Sequence, residues 1–74
     1  MNKSEIITYV KDKLNDSAWY DYSLLAHMLR DFVDPNDKDL KTLAWELGSG
    51  QYGCTKGDVR NLVEIMEKDD EKPN

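Results

Sequence analysis

The chain has 74 residues, with 15 acidic against 10 basic side chains, a net charge of −5, one cysteine and one histidine. A single cysteine excludes a disulfide framework, and Cys54 with His27 falls short of the four ligands of a structural zinc site. The acidic balance runs against the basic footprint of direct nucleic-acid binding, and no apolar run approaches the roughly 18 residues of a membrane span.

One domain is expected over residues 1–68, followed by an acidic, fraying tail over 69–74. A core of this size rarely supplies more than about 3–5 kcal/mol without a staple. With disulfides and zinc set aside, self-association is the remaining staple, so a homodimer is expected. Residues 1–16 hold no continuous apolar run of the signal-peptide kind, and the lone thiol suits a reducing compartment. A soluble cytoplasmic protein is the expectation.

Helix 1 is read from Ser4 to about Asn15. Ser4 stands at the N-cap, Glu5 sits in the first turn where the helix dipole favours a carboxylate, and Ile6, Ile7, Val10 and Leu14 form the apolar stripe. Asn15-Asp16-Ser17 is a polar break, and Ser17 is a cap for helix 2. Helix 2, Ser17–Val33, holds two stripes at about 100° per residue. Tyr22, Leu25, Ala26, Leu29 and Val33 form one, flanked by Ala18, Trp19 and Phe32. Tyr20, Leu24 and Met28 form the other, on the far side. An ordinary surface helix has a single apolar face, so the second stripe is assigned to self-association.

Asp34-Pro35-Asn36-Asp37 reads as a helix start, with Asp34 as N-cap and Pro35 at the first helical position. Helix 3 is expected over Pro35–Leu47, with Leu40, Leu43, Ala44 and Leu47 inward and Trp45 about 140° from Leu40, off the stripe. Gly48 is read as the residue that ends this helix, before a loop through Cys54. Thr55 with Asp58 forms a capping box for helix 4. That helix runs to about Lys68, with Val59, Leu62, Val63 and Met66 inward and Ile65 beside them. Four short helices without an alternating run long enough for a strand make an all-α bundle.

No constellation specifies an enzyme, a metal site or a cofactor. Gly48, Gly50 and Gly53 have the spacing of a dinucleotide loop, but a helix precedes them where that chemistry needs a strand. His27 and Asp31 stand four apart on helix 2, a spacing suited to a surface or interface contact. Cys54 has no second histidine to activate it, although Lys56 and the start of helix 4 are read as lowering its pKa slightly. Lys56, Arg60 and Asn61 resemble the start of a recognition helix, opposed by Asp58, Glu64 and Glu67.

The surplus apolar residues and the acids are the remaining signal. Asp31, Asp34, Asp37 and Asp39 gather at the helix 2–3 corner, and Glu64, Glu67 and Glu71 fall on one face of helix 4. Seven residues of helix span about 10 Å. Three carboxylates over that length are sparser than the phosphates of duplex DNA, which place one charge per about 1.7 Å. Apolar anchors, Trp45 foremost, are therefore expected to hold a partner while the acids steer it.

In length, acidity and helix content, with the acidic runs Asp34–Asp39 and Glu67–Glu71, the chain resembles the small acidic proteins by which bacteriophages disable host machinery, some by imitating DNA. Inhibitors of the DNA polymerase sliding clamp are among them. The Gln-Leu-Phe type of clamp-binding peptide is not present: Gln51 is followed by Tyr52-Gly53. The resemblance implies a host protein with a basic nucleic-acid-binding surface as partner and no direct nucleic-acid contact, while the acidic clusters and the off-stripe tryptophan make Asp34, Asp37, Asp39, Trp45, Glu64, Glu67 and Glu71 the expected contact residues. A small regulatory or antitoxin-like helical dimer without DNA mimicry, and a DNA-binding regulator, stay open beside it.

Overall fold

The computed structural model describes residues 1–71, with side chains described through Lys68. It is an all-α bundle of four short helices: α1 Lys3–Leu14, α2 Tyr22–Leu29, α3 Lys38–Ser49 and α4 Lys56–Glu71. A 3₁₀ turn over Arg30–Phe32 continues α2. The side chains of the expected tail, 69–74, and of Glu71 lie outside the described residues.

The inward faces follow the helical periodicity. Ile6, Ile7, Val10 and Leu14 of α1, Leu25, Ala26 and Leu29 of α2, Leu40, Ala44 and Leu47 of α3, and Val59, Leu62, Val63 and Met66 of α4 are buried together, with Val33. Among the described residues no polar or charged residue is buried with them. Alpha 2 is central, touching α1, α3 and α4. Its closest neighbour, α3, runs antiparallel to it: Gly48 lies against His27, Gly50 against Ser23, and Trp45 against Arg30.

Three helix starts differ from the sequence reading. Alpha 1 is capped by Asn2, whose side chain accepts from the Glu5 N–H while Glu5 accepts from the Asn2 N–H. This reciprocal box satisfies two groups that Ser4 alone would not. Alpha 2 begins at Tyr22, five residues beyond Ser17, with Asp21 accepting from the Leu24 N–H at 3.2 Å. Residues 16–21 make other bonds instead. Asp16 accepts from Ala18 N–H, the Trp19 indole donates to the Asp21 carbonyl at 3.1 Å, and the Tyr22 hydroxyl donates to the Trp19 carbonyl at 3.0 Å. The Lys13 ammonium, 5.1 Å from the Trp19 ring and 5.3 Å from Tyr9, ties this linker to α1. Tyr20 therefore does not continue a helical stripe with Leu24 and Met28.

Alpha 3 begins at Lys38 with Asp37 as N-cap, accepting from Leu40 N–H at 3.1 Å. Asp34–Asp37 is a β-turn, closed by Asp37 N–H to the Asp34 carbonyl. Proline is as well suited to the second position of such a turn as to the first of a helix, so two acids three apart both qualified as caps. Gly48 is likewise not the terminator. It lies inside α3, and Gly50, at φ 72°, takes the left-handed conformation that ends the helix. The Thr55–Asp58 box does start α4, through reciprocal bonds of 3.0 and 3.2 Å.

Candidate partner-binding site

Trp45 occupies the outer face of α3, 46% exposed, because Leu40, Ala44 and Leu47 take the inward positions. The antiparallel register of α2 and α3 brings Arg30 to it, with the guanidinium carbon 3.9 Å from the ring centroid. Such a stack contributes about 0.5–2 kcal/mol and holds both groups in place. Two concavities border Trp45. One, of about 230 Å³, is lined by Arg30, Asp31, Val33, Pro35, Lys41 and Trp45. The other is lined by Lys41, Thr42, Trp45 and Glu46.

The acidic corner adjoins this face through Pro35. Asp34, Asn36, Asp37, Lys38 and Asp39 line a shallow concavity there. Three of these acids have local tasks. Asp34 Oδ1 accepts from Asn36 N–H at 2.9 Å, Asp37 caps α3, and Asp39 sits in the first turn of that helix. Accepting an N–H leaves the carboxylate charge in place, so the corner stays acidic whatever else these side chains do.

Glu64 and Glu67 of α4 line a different groove. Glu64 is exposed, while Glu67 is half-buried and ion-paired with Lys11 at 2.6 Å. Both line a groove of about 320 Å³ with Lys11, Leu14, Asn15, Arg60 and Val63. That groove mixes both signs of charge. Of the residues assigned to self-association, Tyr20 is 87% exposed and Leu24 41% exposed. Met28 is half-buried and packs on the core. Tyr52, in the loop after α3, is also well exposed.

His27 is exposed at the α2–α3 crossing, and among the described residues no hydrogen bond or ion pair joins it to Asp31. Nor do three or more His, Cys, Asp or Glu side chains among the described residues converge as metal ligands. Cys54 departs from expectation. Partial burial, and then the nearby Asp58 carboxylate, raise its thiol from 9.0 to about 11, the opposite direction to the lowering expected from Lys56 and the helix start. A charge taken out of water beside a like charge is disfavoured. The folded protein at pH 8 should therefore be alkylated by iodoacetamide at least about tenfold more slowly than the urea-unfolded chain, since the thiolate is the nucleophile. Equal rates would show a normal thiol. The sign for stability follows. The unfolded thiol ionises first as pH rises, so stability falls between pH 9.0 and about 11.

The Arg30–Trp45 stack is the feature that sequence reasoning missed. Arg30 and Trp45 are fifteen positions apart on different helices, and nothing in either helix's own periodicity pairs them.

No family model, no curated protein and no solved structure matches this chain. What the coordinates define is a small all-α bundle of four short helices. No helix among the described residues is long and apolar enough to cross a membrane.

Proposed function

We propose that this chain is a non-enzymatic binding protein that docks its Trp45 face on a basic surface of a partner protein. On this reading it acts as the phage host-takeover proteins it resembles do. It occupies the DNA-binding site of a host protein such as the DNA polymerase sliding clamp, and so blocks replication. The supporting observation is the state of Trp45: a large aromatic left 46% exposed, yet fixed by a guanidinium at 3.9 Å and bordered by an acidic corner. Aromatic anchors dominate interface energetics, and an anchor already held in place loses less entropy on binding. The acids around it supply long-range attraction.

Surface plasmon resonance against a purified bacterial clamp tests the target. Association should slow as salt rises, because about 0.15 M salt already screens exposed charges beyond about 8 Å. Asp31→Asn with Asp39→Asn should slow association at low salt and leave dissociation nearly unchanged. These two acids are chosen because neither closes a turn or caps a helix through its side chain. Binding that ignores both salt and these substitutions would reject DNA mimicry, and an absence of clamp binding at low salt would reject the target.

A second reading, a helical homodimer, is favoured by the exposure of Tyr20 and Leu24 at the start of α2. Tyr20 sits between two residues held by their own bonds, Trp19 and Tyr22, and nothing in its own surroundings calls for an aromatic. Wild-type protein should then sediment as a dimer at micromolar concentration, and Tyr20→Glu with Leu24→Lys as a monomer of unchanged helicity. A monomeric wild type under those conditions would remove the homodimer.

A further inference from the structure

Arg30 is an oddity in an acidic protein. Its side chain is half-buried, its Nε is buried without a hydrogen-bond partner, and its guanidinium stacks on Trp45. Among the described residues it makes no hydrogen bond or ion pair to any carboxylate, although Asp31 is its chain neighbour and the protein holds 15 acids. Guanidinium groups at this depth ordinarily end on a carboxylate, because a buried donor left unpaired costs about 1–3 kcal/mol. The stack covers one face of the group and the protein covers Nε. The two terminal nitrogens are not among the buried unpaired atoms, so they are open to solvent, and Arg30 lines the adjoining concavity. That concavity, about 230 Å³, has room for a whole acidic side chain, and exposed Lys41 also lines it.

From this geometry we infer that the Arg30–Trp45 notch is a receptor for a single carboxylate of a partner protein, an acidic side chain. The planar fork of Nη1 and Nη2 accepts a carboxylate end-on through two parallel N–H···O bonds, a match that a point charge such as lysine does not provide. Lys41 adds a second positive charge. Asp31, which also lines the notch, and Asp34 beyond it set the limit: a run of phosphates would meet them, whereas one carboxylate need not. The inference rests on the protein-binding reading above only for the source of the carboxylate. It adds that the partner surface is not uniformly basic. It carries cations opposite the acidic corner and one acid opposite Arg30, and that pairing fixes the register of docking.

The test is an NMR titration of isotope-labelled full-length protein at constant ionic strength, following the Trp45 indole N–H and the Arg30 Cζ. The α-amide of N-acetyl-glutamate, whose one carboxylate is the side chain, should produce saturable shifts of both, with a dissociation constant of roughly 10 mM, as suits a single charged contact. The α-amide of N-acetyl-glutamine, which has no carboxylate, should produce none. Arg30→Gln should abolish the response. Arg30→Lys, which keeps the charge and loses the fork, should weaken it at least about threefold. Far-UV circular dichroism confirms that both variants are folded. Shifts that are linear to the end of the titration, or that survive in Arg30→Gln, overturn the inference. So does tighter binding of dimethyl phosphate than of the N-acetyl-glutamate α-amide, which would point to a nucleic-acid backbone. A trilysine peptide, read at the Asp31–Asp39 amides, reports separately on the acidic corner. Its failure with the glutamate response intact rejects the basic-surface reading and leaves the notch, and the reverse rejects the notch alone.

Discussion

Gly48→Ala is expected to lower the thermal midpoint by about 10 °C. A Cβ added at Gly48 would stand 2.9 Å from His27 Cα, 3.0 Å from His27 N and 3.4 Å from Ala26 C. All three are backbone atoms of α2, so no side chain can rotate away, and α2 and α3 must move apart. Overpacking of this kind costs about 1–3 kcal/mol, and the upper end applies where backbone must shift. Alanine returns up to about 1 kcal/mol of helix propensity, leaving a net loss near 2 kcal/mol. In a domain of 60–100 residues each kcal/mol is worth about 4–8 °C. Differential scanning calorimetry measures it. A midpoint that rises would contradict this close approach of α2 and α3. Because the same crossing sets Arg30 against Trp45, the variant should also loosen that stack.

Trp45→Ala is expected to raise the rate of dissociation from the partner about thirtyfold while changing the rate of association little. Central aromatic anchors typically cost about 2 kcal/mol or more when truncated, and that much is a factor of about thirty in affinity. Affinity differences among variants of one interface reside mostly in dissociation. The Asp31→Asn, Asp39→Asn pair should show the opposite kinetic pattern, because exposed charges act on encounter. Trp45 is on the outer face of α3, so its loss removes the Arg30 stack but leaves Leu40, Ala44 and Leu47 as the inward residues of the helix. The helical spectrum should therefore be retained. An unchanged dissociation rate with the fold intact would remove Trp45 from the interface.

The helices were legible in the sequence because each buries one face, and a 3.6-residue period survives any error at its ends. The ends were not. Ser17 and Asp21 are comparable caps by residue type, and only the bonds of Asp16, Trp19 and Tyr22 decide for Asp21. Asp34 and Asp37 competed in the same way across a proline turn. Gly48 was misread because a glycine after a periodic run has two explanations, a left-handed terminator or a close approach. The second depends on a helix that is distant in sequence. The residues of the proposed partner face divide along the same line. Trp45 is marked by its departure from the stripe, a local property. The Arg30 stack and the Lys11–Glu67 pair, 56 residues apart, depend on tertiary register and left no local mark.

The central claim is that the Trp45 face, with its acidic corner, is the surface that meets a partner. The most direct measurement is a map of NMR line broadening on isotope-labelled protein as unlabelled sliding clamp is added at low salt. The account predicts that the Trp45 indole, Arg30 and the backbone amides from Asp31 to Asp39 broaden first, and that added salt reverses the effect. Broadening confined to Tyr20, Leu24 and Tyr52, or to the Lys11–Glu67 groove, with the Trp45 indole unmoved, would contradict it.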